Sequence, residues 1–216
     1  MELTEALRTT GSTREFTDRP VDVATLSAVL DDARFAPSGG NRQPWRVAVV
    51  ADAQVRRQLA DLMSTVWYEY LGESQGTTGA PFAFGRSTGA TPVVAPNSLL
   101  DSIEQVPVVL AIAADLDKIA LMDGDADRPP ITGGASVYPF CWSILLAARA
   151  RGLGGVMTTF LSRAEPVAAP ILGLPRNHAL VATIFLGYPV RQITKLARQP
   201  TATFVTINRF DGEVFQ

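Results

Sequence analysis

Residues 36–45, Ala-Pro-Ser-Gly-Gly-Asn-Arg-Gln-Pro-Trp, set small and amide-bearing side chains between two prolines and run directly into the apolar stretch 47–50. Pro37 ends the helical pattern before it and Pro44 precedes a strand, so the chain between them is irregular and offers backbone N–H groups. Ser38, Asn41 and Gln43 project from the same stretch. A side-chain amide donates and accepts at once, which suits the mixed edge of a heteroaromatic ring. An ordinary connection between a helix and a strand has the same outline, and the loop alone leaves both readings open.

Other residues bear chemistry of their own. Ser12 and Arg14 flank a polar turn in Ser12-Thr13-Arg14-Glu15-Phe16 and can clamp an anion, although an exposed arginine needs no ligand. Gly152-Leu153-Gly154-Gly155 lets a flat ring approach the backbone, yet glycine after a helix is also ordinary capping. Asp115, Asp117, Asp123, Asp125 and Asp127 suggest a calcium loop only superficially. The glycine and the closing glutamate such a loop needs are misplaced, so a solvated turn and no metal site are expected. His178 is the only histidine and Cys141 the only cysteine. The first excludes a multi-histidine metal site and reads as a surface or structural residue; the second, without a paired base, reads as a small buried hydrophobe.

Several elements must position these groups. A short helix is expected over 2–9. A second, capped by Asp22, runs to about residue 35 with Val23, Leu26, Val29, Leu30 and Ala33 on its buried face. Residues 45–51 read as a strand and 54–71 as a helix ending in Trp67, Tyr68 and Tyr70, mostly core. The Gly-, Ser- and Pro-rich stretch 72–96 reads as a mobile lid carrying Phe82 and Phe84. Residues 106–114 are apolar without alternation and therefore a strand buried on both faces. A long helix over 133–151, apolar on most sides, needs a second cover such as another subunit. Helix 162–172 and strand 178–186 follow. The tail 190–216 carries Lys195, Arg198 and a set of apolar residues that require either the protomer's own core or a partner to cover them.

The chain has 216 residues, 47% hydrophobic and 19% charged, with a net charge of −2, which fits one domain better than two. A pI near 5.4 gives no overall electrostatic case for nucleic acid. No apolar run is long enough to span a membrane and the first residues lack a signal-peptide pattern, so a cytoplasmic location is the expectation.

Taken in order, the Ser-x-Arg-x-Phe segment, the Pro-Ser-x-x-Asn-x-Gln-Pro-Trp run, the Gly152–155 turn and Leu186-Gly187-Tyr188-Pro189 resemble the FMN-dependent nitroreductase superfamily over nearly the whole chain. The resemblance implies an α+β fold with a central, mainly antiparallel sheet flanked by helices, in an intertwined homodimer with FMN at the interface. It implies that Ser12, Thr13 and Arg14 hold the phosphate or ribityl chain, completed by Lys195 and Arg198. Pro37, Ser38, Gly39, Asn41 and Gln43 would cradle the flavin, and backbone N–H groups of Gly155, Val156, Met157 and Thr158 would lie beside its reactive edge. Thr10 and Gly11 stand where the family commonly carries basic residues.

The implied chemistry is the cofactor's: hydride from NADH or NADPH, then transfer to a nitroaromatic, quinone or enone by a ping-pong route with no protein general acid. Phe82, Phe84 and Tyr138 would shape the acceptor pocket. Two alternatives keep the flavin, namely a storage or sensor protein without turnover and a reductive dehalogenase or flavin-fragmenting member of the same superfamily. A cofactor-free dimer is the third.

Overall fold

Four strands are formed by the described residues: β1 (Trp45–Val49), β2 (Val108–Asp115), β3 (Gly154–Thr158) and β4 (His178–Gly187). They lie in the order β1-β2-β4-β3 with every neighbouring pair antiparallel, so the architecture is the expected α+β with an antiparallel sheet. The computed structural model describes residues 1–75, 80–83 and 89–215. Its helices are α1 (Leu3–Thr9), α2 (Val23–Ala33), α3 (Ala53–Ser74), the short α4 (Ser98–Asp101), α5 (Tyr138–Ala150), α6 (Phe160–Arg163) and α7 (Glu165–Leu172).

Strand β2 explains the layering. Its side chains alternate, Val108, Leu110, Ile112 and Ala114 packing with Val29 and Ala33 of α2 and Phe140, Cys141 and Ile144 of α5. Val109, Ala111 and Ala113 pack on the opposite face with Leu59 and Met63 of α3, Leu161 of α6 and Ala168 of α7. Complete burial of a large aliphatic or aromatic side chain stabilises by ~1.5–3 kcal/mol, so the two clusters clamp the sheet from both sides. Between Ile112 and Ala113 the β2–β4 register shifts, leaving Val181 as a bulge.

Local signals set most element ends. Asp22 accepts from Thr25 N–H at 2.7 Å and Asp52 from Val55 N–H at 2.9 Å, capping α2 and α3. Gly173 closes α7 in the left-handed region at φ 60°. Arg56, 8% exposed, turns inward from α3. It donates to the carbonyls of Val50 at 2.8 Å and Val106 at 2.7 Å, and its Nη1 also reaches Glu104 O at 3.3 Å, tying α3 to both strands' connections.

Other expectations shift. Val23, the first residue of α2, is 81% exposed and does not belong to its buried face. Helix α5 begins only at Tyr138, and residues 132–136 make a tighter 3-10 turn instead. A glycine pair at 133–134 weakens a helix, and Pro139 fits where helical N–H groups have no partner anyway. Residues 72–74 of the expected lid continue α3. A Cβ on Gly72 would stand 2.3 Å from Thr91 O, so the returning chain presses directly on that helix end. Strand β1 stops at Val49 and β2 begins at Val108, close to their expected limits. No described helix is long and apolar enough to cross a membrane.

Candidate functional site

The Ser12–Arg14 segment lies along the free edge of β3. Ser12 forms a parallel bridge with Gly155, and Thr13 N–H donates to Gly155 O at 2.9 Å. Thr13 is buried against Gly154, where a Cβ would come within 2.6 Å of Thr13 Oγ1. On Gly155 a Cβ would meet Leu186 at 2.5 Å and Leu145 at 2.9 Å. Packing accounts for the size of these glycines: Thr13, Leu145 and Leu186 fill the space a side chain would need.

The tail reaches the same place. A Cβ on Gly11 would lie 2.8 Å from both Ile193 and Leu196, so the segment containing Lys195 packs over the residue just before Ser12. That contact gives Gly11 a packing reason where a basic residue was expected. Arg14 and Lys195 make no ion pair among the described residues, and Arg198 donates to its neighbour's carbonyl, Ala197 O, at 2.7 Å. The hydroxyls of Thr13 and Thr158 are buried without a partner among the described residues. Unpaired cations at Arg14 and Lys195 and unused hydroxyls at Thr13 and Thr158 are groups that suit an anionic, hydrogen-bonding ligand such as a phosphate.

The 36–45 loop is held in an unusual backbone conformation. Gly40, Asn41 and Gln43 have φ of 59°, 52° and 48°. Asparagine tolerates this region and glycine prefers it, while glutamine adopts it only under constraint. The constraint is visible: Ser38 Oγ accepts from Gln43 N–H at 2.9 Å, Gln43 Nε2 donates to Asn41 Oδ1 at 2.9 Å, and Gly39 N–H donates to Ser136 Oγ at 3.1 Å. Ser38 thus works on its own loop. The Asn41 Nδ2 donor and the Gln43 Oε1 acceptor remain outside that internal pairing. At the loop's exit, Trp45 stacks on Phe140 of α5 with ring centroids 4.7 Å apart.

These two groups of residues do not meet in one chain. The loop enters β1 at Trp45, which aligns through Ala114 with Ala179 at the start of β4, whereas Gly155 aligns with Leu186 near its end. Trp45 and Gly155 are thus three strand spacings apart, about 14 Å, and offset by seven residues along the strands, roughly 23 Å.

Beside the loop lies a cavity of about 410 Å³, whose second wall includes Ala120, Met122, Thr132, Ala135 and Ser136. Asp123 builds that wall. It accepts from Ile131 N–H at 2.9 Å, Thr132 N–H at 3.2 Å, the Thr132 hydroxyl, and Arg128 at 2.6 Å. These bonds, the one from Ile131 first, hold its carboxyl well below the usual carboxylate range. Ser136 carries no signal in the sequence, and Asp123 stands there only as one member of an aspartate run read as a solvated turn. The aspartate run was visible, but which member turns into its own loop is decided by the fold.

The candidate acceptor residues separate. Phe82, at φ 57°, packs edge-on to Tyr70, and the Arg163 guanidinium sits 4.1 Å from its ring centre. Tyr70 also meets Phe160, the second residue past the end of β3. Tyr138 belongs to the other face of the sheet, donating to Val181 O at 3.3 Å. Phe84 lies outside the described residues. Met157 is half-buried in the α5 cluster while Val156 is buried in the α3 cluster, so β3 presents alternate residues to the two faces. Cys141 is buried and its thiol is pushed up to about 12 by desolvation, unsuited to nucleophilic work.

A family model described as "Nitroreductase family" matches residues 7–188. The chain is 29% identical over 208 residues to a Thermus thermophilus NADH dehydrogenase, covering 84% of this chain and 83% of that one. It is also 29% identical over 188 residues to a Rhodobacter capsulatus 5,6-dimethylbenzimidazole synthase, covering 87% and 83%. A solved putative nitroreductase in complex with FMN from Desulfovibrio desulfuricans superposes with a TM-score of 0.68 at 20% identity, over 97% of this chain and 98% of that one.

Proposed function

Because the chain belongs to the Nitroreductase family, we propose that it is an FMN-dependent oxidoreductase passing electrons from NADH or NADPH to a nitroaromatic, quinone or enone. The observation that carries this reading is the pairing, on one chain, of an anion-ready cluster at the β3 edge with an amide-bearing loop at the opposite corner of the sheet. Both suit parts of one flavin, and their separation calls for a second copy, whose loop would face the first copy's cluster in a homodimer.

In this reading Ser12, Thr13, Arg14, Lys195 and Arg198 hold the phosphate and ribityl chain. Asn41 and Gln43 present one donor and one acceptor to the flavin ring, while Pro37, Ser38 and Gly39 fix the loop's shape. Gly155, Val156, Met157 and Thr158 form the strand against which the ring is set. The flavin, when bound, supplies the two-electron chemistry. The chain's part is to bind, orient and exclude water; the buried or looped-in positions of Cys141 and Asp123 leave neither suited to move a proton for the reaction.

Purified protein should be yellow and contain FMN, and anaerobic NADH or NADPH should bleach it. Colourless protein that takes up no added FMN overturns the reading; flavin that neither nicotinamide bleaches points to a storage or sensor protein. The similarity to a dimethylbenzimidazole synthase supports a second reading, flavin fragmentation. Aerobic reduction that consumes the flavin and releases a benzimidazole would favour it over acceptor reduction.

A further inference from the structure

Beside the loop cavity is a second, apolar one of about 610 Å³, and a single strip of chain divides the two. Along that strip Ala120 and Met122 line the loop cavity, whereas Ile119 and Leu121 line the apolar one. Such alternation is what an extended segment produces when it has a cavity on each side. The 3-10 turn that returns the loop also serves both sides, Thr132, Ala135 and Ser136 lining one cavity and Ile131, Gly133 and Gly134 the other.

The apolar cavity has the features of a small-molecule site. Its volume lies within the range such sites occupy. Among the described residues no charged side chain lines it. Glycine makes the room: a Cβ on Gly134 would strike the Tyr138 ring at 2.8 Å. At its floor the β4 bulge places Val181, whose carbonyl accepts from the Tyr138 hydroxyl, so that pair of polar atoms is satisfied. Leu116, Leu121 and Ile131 are 48%, 49% and 72% exposed at the rim, leaving apolar surface to be covered.

We infer that this cavity binds a neutral, ring-bearing apolar molecule, and that it seats the uncharged apolar substituent of the electron acceptor. The second half rests on the reading of residues 36–45 as a flavin cradle; the first does not. A charged substituent would lose its hydration in an uncharged cavity with no partner to replace it. The acceptor class is thereby narrowed to quinones or nitroaromatics whose second substituent is neutral.

The test uses the purified protein with its bound FMN and the neutral fluorophore N-phenyl-1-naphthylamine. Fluorescence titration should show saturable binding, weakened at least about 10-fold by Leu121→Glu and equally by Leu121→Lys, with flavin content and melting temperature unchanged. Two charges of opposite sign separate loss of an apolar surface from a specific electrostatic effect. A neutral naphthoquinone should have a lower KM than its sulfonate, and the Leu121 variants should remove that difference. Absent probe binding, binding indifferent to both substitutions, or binding lost as the protein self-associates, which would mean that another copy covers the cavity, each overturns the inference. Protein without flavin that still binds the probe would instead remove only the acceptor assignment, along with the function proposed above.

Discussion

Gln43 donates its side-chain amide to Asn41 across 2.9 Å while both residues sit at positive φ, so one hydrogen bond holds two non-glycine residues in the left-handed region. Strain kept in place by its surroundings is commonly found where a chain presents groups to a ligand. Asn41→Gly should keep the melting temperature, since glycine adopts this φ freely, but lower FMN occupancy through loss of the amide. Asn41→Val should lower both, with a stability loss of about 1–2 kcal/mol. Unchanged flavin content in both variants would place the cradle elsewhere.

The cations at the β3 edge are expected to read the phosphate rather than the ring. Arg14→Ala and Lys195→Ala should each weaken FMN about 10-fold, or ~1.4 kcal/mol, while leaving riboflavin affinity nearly unchanged. Equal losses for both flavins, measured by fluorescence quenching, would show that these side chains act through the fold instead.

Gly155→Ala tests whether that glycine serves packing. With Leu186 at 2.5 Å and Phe185 O at 2.8 Å from the added carbon, one neighbour being backbone, the strand must shift. A loss of ~1–3 kcal/mol in urea unfolding is expected, as for other overpacked sites. A stable variant would mean the sheet edge yields more readily than its contacts imply.

Arg56 is expected to be the most costly single cation to remove. Arg56→Ala strands buried carbonyls of Val50 and Val106 and should destabilise by about 3 kcal/mol or more. Arg56→Lys keeps the charge but not the fork, so it should recover only part of the loss in the same unfolding measurement.

Asp123 provides a pH signature. Its carboxyl is depressed in the folded chain, so its contribution is fully present above the unfolded carboxylate pKa of about 3.9 and fades as pH falls toward the folded value. Thermal melts of Asp123→Asn and the parent protein should differ most at neutral pH and converge as the pH drops below about 4. A gap that stays constant down to acidic pH would assign the effect to packing.

Much of the fold was legible because its signals are local. The Asp22 cap, the uninterrupted apolar run of β2 and the helix period over 54–71 each depend on neighbours in sequence. The α5 start was misplaced because two glycines and a proline, spread over residues 133–139, outweigh a continuous apolar pattern. Ser136 carried no signal at all, since its role is a bond to Gly39, 97 residues away.

The sequence by itself determined the element types, the family and the residues whose chemistry suits a flavin, because spacing and residue type are enough to mark caps, strands and donor sets. Only the tertiary structure decided how those residues are grouped. Strand order sends residues 36–45 and the Ser12–Gly155 contact to opposite corners of the sheet, since pairing registers join residues far apart in the chain. Packing likewise decided that Gly154 and Gly155 make room for side chains of this protein, and that a strip around Leu121 divides one cavity from another.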